Sequence, residues 1–166
     1  MAEPLTDDEV ARLAVFWAHA ARAQLARLGK ALNRLDNYPG RGEASPTVGD
    51  WWQVAAERHF ALLAIAHVVK ACSRLEALPR FPDADLFTYL RHYAEHWEDP
   101  SGRAGRTLAE IRPEHTEEPI AFWPERFALH GVFSDDLDAW LAEVDRVARS
   151  TDGSGLPMPD PSTPLD

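Results

Sequence analysis

The chain has 166 residues, 45% of them hydrophobic, with 17 basic against 27 acidic side chains and a net charge of −10. This length fits a single domain, and six Trp add large apolar surfaces, which excludes a chain disordered throughout. An acidic balance of this size repels nucleic acid at long range, so any nucleic-acid role requires basic residues clustered locally.

Residues 1–9 are acidic and lack the basic-then-apolar layout of a secretion signal. The most apolar run, 60–69, is about half the ~20 residues that a membrane helix needs. The expectation is a soluble, cytoplasmic protein without a membrane segment. The single Cys72 lies in an apolar run, can form no internal disulfide, and reads as a core thiol in a reducing compartment. Lysine is confined to Lys30 and Lys70 while Arg and Ala abound, which points to a high-GC bacterial genome.

Thr6 and Glu9 have the spacing of a capping box, with Asp7 and Asp8 placed favourably at the positive end of the helix dipole. Val10, Ala14, Trp17, Ala21, Gln24, Leu28, Ala31 and Leu35 then recur at heptad-like spacing, predicting one long helix over 7–35. A Gly-, Pro- and Ser-rich loop follows to Gly49. Asp50 and Gln53 suit the start of a second helix running to about Leu78, before Pro79. It is apolar nearly all round at Leu62, Leu63, Ile65, Ala66, Val68 and Val69, which marks it as the central helix.

Pro82 and Asp83 open a third helix to about Glu98, and Thr107 to Arg112 suits a short one. Ile120, Phe122, Phe127 and Leu129 alternate about Pro124 as in a short β-hairpin near 119–131. Ser134 caps a last helix with Leu137, Trp140, Leu141, Val144 and Val147 on one face. The final 16 residues hold four Pro and two Gly, predicting a disordered tail over 151–166 after a helical domain over 1–150. The fold class is all-α: an antiparallel bundle of four to five helices.

The third helix carries the chemistry. At about 100° per residue, Glu95 falls about 40° from Arg91, His92 about 100° and His96 about 140°. Leu86, Phe87, Leu90, Tyr93, Ala94 and Trp97 occupy the opposite arc. By periodicity alone this is the polar face of any surface helix. Its residue types, however, suit RNA cleavage through the 2′-hydroxyl. That reaction needs a base, an acid and a cation on the phosphate. Histidine performs either proton transfer near neutrality without a metal, and arginine grips two phosphate oxygens at once. One helix cannot surround a phosphate. With its apolar arc committed to the core, the strip must face solvent or a second subunit, so function predicts a twofold dimer that apposes two strips.

Arg91, His92 and His96, within a helix of an all-helical domain, resemble the signature of the HEPN superfamily: an Arg, then a polar residue, then a His four to six positions beyond the Arg. The helix order is similar over 7–149. The resemblance implies a metal-independent endoribonuclease acting as a homodimer through the motif helix, in bacterial toxin–antitoxin or defence systems, with an antitoxin partner. It implies that Arg91 holds the phosphate, His96 transfers protons, His92 assists and Glu95 orients an imidazole. No cofactor or metal is implied. The only local basic cluster available to an RNA groove is Arg103, Arg106 and Arg112. The superfamily also contains non-catalytic, nucleotide-binding and interaction members, so an inactive dimeric interaction protein is the alternative.

A third reading uses His92 and His96 as an i, i+4 metal-binding pair, completed by His59 or His67, which resembles the DinB-like bundles. His59 and His67 otherwise read as partly buried, hydrogen-bonded residues. Glu57 suits an ion pair with Arg58 or Arg91. Trp51 and Trp52, with Trp17, Trp97, Trp123 and Trp140, suit core and interface area.

Overall fold

The computed structural model describes residues 4–36, 47–82, 84–95, 106, 110, 135–158 and 160. Among them are four α-helices and no strand: α1 Asp7–Asp36, α2 Val48–Arg74, α3 Ala84–Glu95 and α4 Asp135–Thr151. The all-α bundle expected from periodicity is what these elements form. The hairpin expected near 119–131 and most of the short helix expected at 107–112 lie outside the described residues. No described helix is long and apolar enough to cross a membrane.

The start of α1 is the capping box its sequence spells. The Thr6 N–H donates to Glu9 Oε2 at 2.7 Å, and the Glu9 N–H donates to Thr6 Oγ1 at 3.3 Å. The start of α2 differs from expectation. Thr47, not Asp50, is the N-cap; its Oγ1 accepts from the Asp50 N–H at 3.3 Å, and Asp50 Oδ2 accepts from the Thr47 N–H at 2.8 Å. Asp50 is thus the reciprocal member of the box. Its bonds to the Thr47 side chain and backbone hold its carboxyl below the usual range, as the Thr6 backbone and side chain do for Glu9.

The helix α2 also stops at Arg74, earlier than the expected Leu78. Leu75 and Leu78 are still buried, so the apolar pattern continues into a turn that is not helical. That turn is tied down by Trp140 of α4, whose indole Nε1–H donates to the Pro79 carbonyl at 2.9 Å. The Phe81 ring fills the space between Phe87, at 5.7 Å, and Trp140, at 5.3 Å.

The centre of the bundle is the α1–α2 pair and not α2 alone. Helix α1 packs on both α2 and α4, while α2 also carries α3. The pairing of Trp17 with His67 and of Arg27 with Glu57 shows that α1 and α2 run antiparallel. Arg22 with Asp138, and Asp8 with Gly153, show the same for α1 and α4. What lets α1 lie close to two helices is a row of methyl groups: Ala11, Ala14, Ala18 and Ala21 have no exposed surface. They share the main core with Ile65, Val68, Phe87, Leu137, Leu141 and Val144. Leu28, Ala31 and Val54 form a separate cluster at the far end of the α1–α2 pair.

The tail expected from residue 151 has an ordered beginning. The Gly153 N–H donates to Asp8 Oδ1 at 3.2 Å, and Met158 packs against the main core. Cys72 is buried as expected, and that burial pushes its thiol up to about 11.

Candidate functional site

Helix α3 buries Leu86, Phe87 and Leu90, which leaves Arg91, His92 and Glu95 on its polar side. The side chains of Arg91 and Glu95 are 24% and 34% exposed, so the strip is half-covered and not a fully wetted face. Arg91 Nε lies 3.3 Å from Glu95 Oε2, one helical turn on. The contact does not meet hydrogen-bond geometry, and this Nε, itself buried, has no hydrogen-bond partner among the described residues. The contact is therefore electrostatic. Arg91 Nη2–H reaches His92 Nε2 at 3.5 Å, the outer limit of a hydrogen bond, with that nitrogen as acceptor. Glu95, expected to orient an imidazole, lies against the guanidinium. His96 falls outside the described residues.

One imidazole of α2 makes a contact the sequence did not show. His67 lies face to face with the Trp17 ring, centroids 4.2 Å apart and planes 14° from parallel. Trp17 is itself braced edge-on by Phe16 at 5.1 Å. Burial, first, and the charges of Arg91 and Lys70 hold the His67 imidazole below its ordinary pKa, while Glu95 works in the opposite direction. Helix α3 packs on α2, the helix that carries His67.

Sequence reasoning missed the His67–Trp17 contact, which depends on the register of α1 against α2. Glu57 pairs with Arg27 at 3.9 Å rather than with Arg58 or Arg91. Arg58 is left with a buried Nε that has no partner among the described residues, and burial pushes its guanidinium down to about 10. No three His, Cys, Asp or Glu side chains converge as a metal site among the described residues. Trp52, expected to supply core or interface area, is 55% exposed, and Leu13, Phe16 and Phe60 are exposed as well. Arg103 and Arg112 of the expected basic cluster lie outside the described residues.

No family model, no characterised protein and no solved structure matches this chain. The HEPN likeness thus stands on the α3 motif and the helix order alone.

Proposed function

We propose that the protein is a HEPN-type, metal-independent endoribonuclease acting as a homodimer in a bacterial toxin–antitoxin or defence setting. The observation that carries this reading is the state of Arg91: partly buried, steadied by Glu95 and beside His92. Its Nε is buried against Glu95, so the Nη groups are the donors left for a phosphate.

In the reaction a 2′-hydroxyl oxygen attacks the adjacent phosphorus and the bond to the 5′-oxygen breaks. The products are a 2′,3′-cyclic phosphate and a 5′-hydroxyl. A base accepts the 2′-hydroxyl proton, and an acid delivers one to the departing oxygen. Arg91 takes the charge on the phosphate, His96 transfers protons and His92 assists. A twofold axis along α3 doubles the imidazoles, so that base and acid are both present.

The test is RNA cleavage by the purified protein in EDTA. Arg91→Ala and His96→Ala each abolish it while the far-UV CD spectrum is unchanged, and sedimentation gives a dimer. Cleavage that survives both substitutions, or that needs a divalent metal, would overturn the proposal. Exposed Leu13, Phe16 and Phe60 favour a second reading, a dimeric interaction protein with no activity. A dimer that binds no nucleic acid selects it.

A further inference from the structure

Leu13 and Phe16 on α1, with Trp52 and Phe60 on α2, are each between 41% and 55% exposed. The Trp17–His67 stack joins the two pairs across the seam. Phe16 meets Trp17 edge-on at 5.1 Å, and Trp17 meets His67 face to face at 4.2 Å. Running back from His67, residues Leu63, Phe60, Ala56 and Trp52 follow at steps of four, three, four and four, so all share one side of α2. Leu13, Phe16, Trp17 and Ala20 share one side of α1 by the same spacing. Helix α4 meets α1 on the side of Asp8 and Arg22, about a third of a turn away, and leaves this side open. The antiparallel α1–α2 pair thus presents one continuous apolar face.

Its size and charge both bear on what covers it. An aromatic side chain covers about 150–250 Å² when wholly buried, so Phe16, Trp52 and Phe60 leave roughly 300 Å² of ring open. Leu13 and the partly exposed Trp17, Leu63 and His67 bring the face to about 450 Å². A stable contact takes about 800 Å² from each partner, a little over half of it apolar, which is again about 450 Å². From Leu13 to Ala20 on α1, and from Phe60 to His67 on α2, the sequence holds no Asp, Glu, Lys or Arg. In a chain of net charge −10, two copies can approach here without opposing their carboxylates.

We infer that two copies of the chain associate through this α1–α2 face about a twofold axis, so that four helices meet at the contact. Each copy supplies the apolar area that the other lacks. No residue of α3 belongs to the face, so the contact goes beyond the α3 apposition proposed above and does not depend on it.

The test is sedimentation of the full-length protein over a range of concentration and salt. The expected result is association at micromolar concentration that strengthens as salt rises, because salt screens the repulsion between two acidic chains. Phe16→Asp combined with Phe60→Asp, both at exposed positions, should halve the particle mass while the far-UV CD spectrum is unchanged. A wild-type dimer whose mass this variant leaves intact is held elsewhere and overturns this inference alone. A dimer that the variant splits into monomers supports the α1–α2 contact and removes the α3 apposition. A tetramer reduced to a dimer supports this contact and leaves the other in place. A particle that stays monomeric well above micromolar concentration, or that salt loosens, refutes the contact and leaves the face to a different protein or to residues of this chain outside those described. Should the variant fail to fold, hydrogen exchange of the wild type decides: residues 13–20 and 60–67 must gain protection as the particle forms, and unchanged exchange there refutes the inference.

Discussion

Replacing Trp140 by Phe tests whether the α2–α3 turn is held by one long-range bond. Trp140 is 8% exposed, and its Nε1–H donates to the Pro79 carbonyl at 2.9 Å, joining residues 61 apart in sequence. Phe keeps a ring beside Phe81 but removes the donor and some volume. Stranding a buried acceptor costs about 1–3 kcal/mol, and the lower end applies because Pro79 is only half-buried and water can reach its carbonyl. The smaller ring adds about 1 kcal/mol of lost packing. The sum is about 2 kcal/mol, or a fall in Tm of about 6 °C for a chain of this size. Thermal unfolding followed by far-UV CD measures it. Urea unfolding should show a lower midpoint at unchanged slope. A fall below about 2 °C would mean that the turn is held by apolar burial of Leu75 and Leu78 and that the bond is incidental.

Four further outcomes are expected. Thr6→Ala and Thr47→Ala each remove one capping box and should each cost about 1 kcal/mol, additively, in urea titrations. The Arg22–Asp138 pair bridges α1 and α4 at 2.8 Å but is 44% and 57% exposed, so a double-mutant cycle should return under about 1 kcal/mol and less in high salt. His67 has a folded pKa below its ordinary 6.5, so the unfolded chain binds more protons as pH falls below that value. Stability should therefore be undiminished above about 6.5, decline through the window down to the lowered folded pKa, and lose that slope in His67→Gln, as read from Tm against pH. Cys72 is 3% exposed and its thiol is pushed up to about 11, so a thiol reagent should label it only after denaturant is added.

Local signals were readable in the sequence, and signals that depend on helix register were not. Thr6 and Glu9 are three residues apart and satisfy each other whatever the rest of the chain does, so that cap was legible. At α2, Thr47-to-Asp50 and Asp50-to-Gln53 are both plausible starts. The earlier one wins because Thr47 and Asp50 bond reciprocally. Leu75 and Leu78 misled in the opposite way, since burial continues after the helical hydrogen bonds stop. On α3, the separation of Leu86, Phe87 and Leu90 from Arg91, His92 and Glu95 follows from period alone. That His67 stacks on Trp17, and that Glu57 pairs with Arg27, depends on how far α1 slides along α2. A single sequence does not encode that slide in any local pattern.

The methyl row of Ala11, Ala14, Ala18 and Ala21 acts as a spacer gauge. Each of the four is fully buried, so one added carbon must displace its neighbours in the main core. Trp17 packs against the same core, and the His67 imidazole stacks on Trp17. The placement of that stacked pair is thus set from beneath, by the smallest side chains in the bundle.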